Sequence, residues 1–161
     1  MILKWVSPDG VEITFSRDAT DYKLTKNYSG LAVVPTIHHP TQAPYQDGQT
    51  LIDSVLDVRE INFEIMIMAS SLSQLQDRIR ALSSAFNPKR GKGILSYTNE
   101  SGTEYWCYCI GNRTPSLSTT DRSLYYQRAY IDLVAHDPYW YSGTPDVRYL
   151  TATSTDFFPF D

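Results

Sequence analysis

The sequence predicts an α+β domain, mainly β, built on antiparallel sheet with a single α-helix on one face. Short runs in which apolar and polar residues alternate recur along the chain, separated by turn residues. Only one run, Leu72 to Phe86, repeats its apolar residues at intervals of three and four. That run stands alone among strands, so it cannot belong to a series of crossovers in a parallel α/β array.

The chain has 161 residues, which suits one domain able to bury roughly 70% of the surface its unfolded form exposes. Hydrophobic residues make up 42% and charged ones 20%, with 12 Tyr, 6 Phe and 3 Trp. That is too apolar and aromatic for a disordered chain. The formal charge of -4 argues against a general polyanion binder, because affinity for nucleic acid rests on clustered Lys and Arg. Met1 to Ser7 meets Pro8-Asp9-Gly10 too soon to hold the apolar stretch of a signal peptide, and no later run reaches transmembrane length. A soluble protein made in a cytoplasm is therefore expected, and the N-x-S/T triplets at Asn27, Asn99 and Asn112 are accidents of composition.

Leu3 and Trp5, then Val11, Ile13 and Phe15, alternate around Pro8-Asp9-Gly10 and predict a hairpin. Tyr22 and Leu24 suggest a third strand, and Leu31-Ala32-Val33-Val34 a fourth, framed by Gly30 and Pro35. From Pro35 to Gln49 few aliphatics are available to anchor the chain, and His38-His39-Pro40, Pro44 and Asp47-Gly48 predict a long loop or projecting arm. The clearest strand follows, with Ile61, Phe63, Ile65 and Ile67 facing a core. Its other face runs from Asn62 and Glu64 to Met66 and Met68, which the helix or a partner chain should cover.

Ser71-Leu72-Ser73-Gln74 has the S-x-x-Q form of a capping box, and it starts a helix whose stripe is Leu72, Leu75, Ile79, Leu82 and Phe86. Pro88 and Gly91 stop it, and Lys89, Arg90 and Lys92 favour its C-terminal dipole. Ile94 to Thr98 and Thr103 to Ile110 form a second hairpin about Asn99-Glu100-Ser101-Gly102. A polar stretch, Asn112 to Arg122, leads to a long strand from Leu124 to Ala135, in which Tyr125, Ala129, Ile131 and Leu133 oppose Tyr126, Arg128, Tyr130 and Asp132. After Ser142 the chain reads as a linker entering a further packing element, with Phe157-Phe158-Pro159-Phe160 near its end.

Little catalytic or metal chemistry is spelled out. His38-His39 with Cys107 and Cys109 supplies four ligands in number, but neither H-H nor C-x-C is a usual zinc pair. No metal or cofactor is expected. The cysteines are two small buried thiols on one strand face. His136-Asp137 cannot form a triad between neighbours, and no G-x-S-x-G elbow exists. Glu60 with Glu64, and Asp53 with Asp57, read as the solvated face of a strand. Lys89 to Gly93 does not fit a phosphate loop. Trp106, Tyr108, Tyr139, Trp140 and Tyr141 are the rings a carbohydrate-binding β-sandwich would present in host-surface adhesion, although cores and protein interfaces use them more often. An assembly subunit, and no enzyme, is the expectation.

Taken in order, the pieces from Tyr45 to Tyr141 resemble the distal tail protein (Dit) family of long-tailed phages and prophages. The resemblance is carried by Asp47-Gly48-Gln49-Thr50, by Leu56-Asp57-Val58-Arg59-Glu60-Ile61-Asn62-Phe63-Glu64-Ile65, and by the capped helix with Leu82 and Phe86-Asn87-Pro88. Gly93-Ile94-Leu95-Ser96-Tyr97 and Asp137-Pro138-Tyr139-Trp140 complete it. It implies a β-sandwich-like, ring-forming domain over residues 1–142, with 143–161 as a linker or the start of a further galectin-like domain. It also implies a hexameric ring that links the tail tube protein to the tail fibre or tail-associated lysin and lets DNA pass without specific binding. The location would be the virion tail tip, assembled in the bacterial host cytoplasm. Within that reading Tyr45, Asp47 and Gly48 would be arm contacts, and Met66, Met68, Tyr139 and Trp140 partner-covered surface.

Overall fold

The computed structural model of the chain describes residues 1–143. The expected linker and its Phe157-Phe158-Pro159-Phe160 cluster therefore lie outside the described residues.

Strands β1 (Ile2–Val6) and β2 (Glu12–Ser16) form the first hairpin, with Trp5 opposite Ile13 and Leu3 opposite Phe15, all four buried. Strand β3 (Tyr22–Ser29) touches β2 at a single parallel pair and then runs antiparallel to β6 (Arg59–Met68). Between them, β4 (Thr36–Thr41) and β5 (Thr50–Leu56) make a separate two-stranded sheet. After helix α1 (Leu72–Ala85) come a 3-10 turn at Pro88–Arg90, β7 (Gly93–Thr98), β8 (Glu104–Gly111), β9 (Ser116–Arg122), β10 (Tyr126–Ala135) and the short β11 (Tyr141–Ser142).

The main sheet runs β11-β8-β7-β1-β2-β3-β6-β10-β9, and its two ends meet where Leu133 and Val134 of β10 pair with Gly111 and Ile110 of β8. The sheet thus curls into closure and faces itself across one core, the sandwich-like arrangement with one helix that the sequence predicts. Period-two alternation makes this possible, because strands such as β2, β6 and β10 send alternate side chains inward. β6 buries Ile61, Phe63, Ile65 and Ile67, while β10 buries Gln127, Ala129, Ile131, Leu133 and Ala135 along an unbroken ten-residue ladder.

The helix end completes the core. Ser71 caps the N-terminus, its Oγ accepting from Gln74 N at 3.2 Å. The reciprocal half of the expected capping box moves one residue, since Gln74 Oε1 accepts from Ser70 N and Ser70 Oγ. Leu75, Leu82 and Ala85 are buried and Ile79 packs beside them, but Leu72 is 50% exposed and lies off the docked face. Phe86 stacks on Trp5 with centroids 4.7 Å apart, and Trp5 Nε1 donates to Ala85 O at 2.9 Å. Gly93 is a glycine because a Cβ there would sit 2.5 Å from the Trp5 ring.

Three expectations need correction. Leu31 to Val34 is irregular, because Leu31 turns inward against the core while Val33 stays exposed. The polar run Asn112 to Arg122 contains β9, an edge strand whose ladder to β10 asks for no apolar alternation. Tyr125 is exposed, because β10 begins only at Tyr126.

Phe86→Ala should cost about 3–5 kcal/mol in urea unfolding, through the cavity left beside Trp5 and Phe15. Leu72→Ala should cost under about 1 kcal/mol, since half of that side chain already faces water. Equal costs would contradict this packing.

Candidate functional site

The expected arm is a β-hairpin, and it extends beyond the predicted loop to Leu56. Every residue of β4 and β5 is exposed, and the two strands pair only with each other. Ile37, Leu51, Ile52 and Val55 stand in water on it. Asp47, Asp53 and Asp57 are its charges, and no Lys or Arg occurs between Lys26 and Arg59. An apolar, acidic hairpin without a core of its own has the composition of a surface awaiting a partner.

The tip is organised by Gln46. Its side chain accepts from Ala43 N at 3.1 Å and donates to Thr50 Oγ1 at 2.9 Å, while its backbone N–H bonds Ala43 O and its carbonyl takes Gln42 Nε2. This holds Tyr45 fully exposed at φ +67°, a left-handed conformation that a bulky residue adopts only under constraint. Asp47 and Gly48 are exposed beside it.

The arm's root is fixed from two directions. Asp57 N donates to Pro35 O at 2.8 Å across the base. Arg59, only 5% exposed, then donates from Nη1 to Gly30 O and Leu31 O and from Nε to Pro138 O, each at 2.9 Å. Its guanidinium lies over the Trp140 ring at 5.5 Å, and Trp140 Nε1 donates to the same Leu31 carbonyl at 2.9 Å. Gly30, at φ +81°, makes room for this approach, since a Cβ would lie 1.8 Å from Glu60 O. Burial lowers the Arg59 pKa, an effect opposed by the neighbouring Cys107 and Cys109. Guanidinium remains charged nonetheless, and among the described residues its partners are carbonyl dipoles and one ring.

The residues singled out from the sequence do not converge on one pocket. Tyr45, Asp47 and Gly48 share the arm tip. Met66 and Met68 are half-buried on β6, Met66 between Lys23 and Arg128, and Met68 with its carbonyl held by Arg78 of the helix. Tyr139 is exposed at the exit from β10, whereas Trp140 is engaged within the chain by Arg59 and Leu31. The sequence reading missed Arg59, although its place in the alternation Arg59, Ile61, Phe63, Ile65 puts it on the inward face.

The groups weighed for catalysis or metal binding are separated. His38 and His39 are exposed on the arm, and Cys107 and Cys109 are buried with Sγ atoms 3.4 Å apart. The hydrogen bond with Cys107, and then burial, push the Cys109 thiol well above its ordinary range, so it stays protonated. Among the described residues no group of His, Cys, Asp and Glu is placed to hold a metal ion. Asp137 is occupied by Tyr139 N and the Tyr141 hydroxyl. Glu64 is not a solvated carboxylate as expected, because it is buried against Arg128 at 3.2 Å and Asn27 at 3.1 Å, while Glu60 stays exposed.

Residues 17–159 match the profile of the family described as phage tail protein RIFT-related domain. The chain belongs to that family. Its fold is similar to the crystal structure of SPP1 Dit, described as a paradigm of hub adsorption apparatus in phages infecting Gram-positive bacteria. The TM-score is 0.63 at 13% identity, over 87% of this chain and 52% of that one. The chain thus spans about half the length of that protein. No curated protein sequence matches it. The expectation drawn from Asp47-Gly48, Asp57 to Ile65 and Asp137 to Trp140 is met by a phage tail family and by a fold similar to that of a Dit protein, which makes this a phage tail domain.

In this phage tail domain Arg59→Met would take its donor from the Gly30 and Pro138 carbonyls and leave Leu31 O to Trp140 alone, at a cost of about 2–4 kcal/mol. Amide exchange should rise together around residues 30–35 and 138–141, with β6 and β10 staying protected relative to the global unfolding rate. Faster exchange in only one of the two segments would show that Arg59 does not tie them.

Proposed function

We propose that this chain is the ring-forming domain of a phage tail hub, a structural subunit of the tail tip or baseplate. Six copies close into a ring around a channel through which DNA leaves without specific binding. The arm carries the proposal, as a hairpin that keeps Ile37, Leu51, Ile52 and Val55 in water and presents Tyr45 at its tip. When one surface of a subunit meets a different surface of the next, the contact repeats and closes if the rotation allows.

On this reading residues 1–142 form the ring. Tail tube protein lies on one side, and tail fibre or tail-associated lysin on the other. The protein acts in the virion after assembly in the host cytoplasm, with no catalytic step and no cofactor. Tyr45, Asp47 and Gly48 contact the neighbouring copy, and Met66, Met68, Tyr139 and Trp140 belong to the partner-covered surface. A carbohydrate-binding module in host adhesion would use the exposed Tyr108, Tyr139 and Tyr141, but the arm has no part in it.

Native mass spectrometry of the full chain should give hexamers or their multiples. Replacing residues 42–49 by a two-residue turn should leave monomers of unchanged melting temperature. A wild-type chain that stays monomeric at high concentration would contradict the ring.

A further inference from the structure

Cys107 and Cys109 are the chain's only cysteines, and the ring does not employ them. Alternation along β8 turns both side chains inward, where the Sγ atoms lie 3.4 Å apart, buried and not joined by a disulfide. Two sulfurs are half the set that a structural zinc takes, and their spacing is not that of zinc. Sulfurs 3.4 Å apart, each about 2.3 Å from a shared atom, subtend about 95° there, below the roughly 109° of a tetrahedral ion. An angle that narrow belongs to a pyramidal trivalent centre with a lone pair, such as arsenic(III). Two further features surround the pair. Cys109 lines a cavity of about 130 Å³ where β8 meets β10, together with Tyr108, Val134 and His136. One water takes about 30 Å³ of liquid volume, so the cavity has room for a group of several heavy atoms beside the thiol. The Arg59 guanidinium borders both sulfurs. Its bonds to carbonyls come from Nε and Nη1, which leaves Nη2 for a polar group held at the pair.

We propose that Cys107 and Cys109 form a two-sulfur binding site for a trivalent metalloid, with arsenous acid as its simplest ligand. Two S–H bonds and two As–O bonds break, two As–S bonds form, and each thiol proton leaves on a departing hydroxyl as water. No electron is transferred, and no thiolate is required beforehand, so a protonated Cys109 can react. One hydroxyl stays on arsenic as the third ligand. A core would reject that polar group unless it found a partner, and Arg59 supplies the donor. The site is also set before the ligand arrives, because β7 pairs with β8 through Cys107 and Cys109 and fixes the strand that carries both sulfurs. The inference stands apart from the ring reading and survives if that reading fails.

The test incubates the reduced full chain with arsenite and follows it by native mass spectrometry and thermal melting. One arsenic per chain should add with the loss of two waters, and 1,2-ethanedithiol should remove it. The melting temperature should rise, since a ligand that prefers the folded chain stabilises it. Cys109→Ala should weaken binding roughly a hundredfold or more, because the second sulfur no longer acts within the same chain. An adduct that forms only in urea, or that lowers the melting temperature, would mean that arsenic takes the two cysteines from the unfolded chain, and it would overturn the inference. No adduct on the folded chain, or equal binding by Cys109→Ala, would overturn it as well. If that variant does not fold, the sign of the wild-type melting shift decides alone.

Discussion

A sheet that closes on itself must fill its interior, and here the filling comes from the last turn of the helix. Phe86 lies against Trp5 and Phe15, and the Trp5 indole N–H is satisfied by Ala85 O in place of water. Aromatic pairs of this geometry are worth about 0.5–1.5 kcal/mol beyond the area they bury. The hydrogen bond also prevents a buried donor from going unpaired. Gly93 and Gly111 show how tight the fit is, since a Cβ at either would meet the Trp5 ring or Phe86 O. With the helix end fixed there, β7 and β8 return along β1, β8 reaches β10, and the sheet is closed. The arm, the edge strand β9 and the exit at β11 all hang from that closure.

Arg59 adds a second level of order. Burying a cation is costly unless dipoles replace water, and three backbone carbonyls and the Trp140 ring do so. Two of the carbonyls precede the arm and the third precedes the chain's exit from the sheet, so one side chain fixes both places where the domain reaches outward. On the ring reading proposed above, a subunit that holds a neighbour through its arm gains from such a fixing point. In the ring reading, load on the arm passes into β6 and towards the exit without requiring the core to yield.

Much of the fold was legible in the sequence. Alternation located β1, β2, β6, β7, β8 and β10, and the Ser71 cap located the helix. What stayed hidden depends on contacts between distant residues. β9 is polar because it is an edge, Leu31 to Val34 looks like a strand but is bent by the Arg59 and Trp140 bonds, and the arm pairs with itself without apolar alternation. Glu64 looks solvated until Arg128 and Asn27 arrive from other strands. The family motifs Asp57-Val58-Arg59 and Asp137-Pro138-Tyr139-Trp140 pointed to a fold, and in the structure they meet, because Arg59 and Trp140 share Leu31 O.

The central claim is that this domain closes into a ring through its arm. Electron microscopy of the purified full chain tests it most directly. Class averages should show a six-fold ring with an open centre and a bridge of density between each pair of neighbours, sized for one hairpin. Separate globular particles with a free projecting hairpin, or two-fold pairs without a central opening, would contradict it.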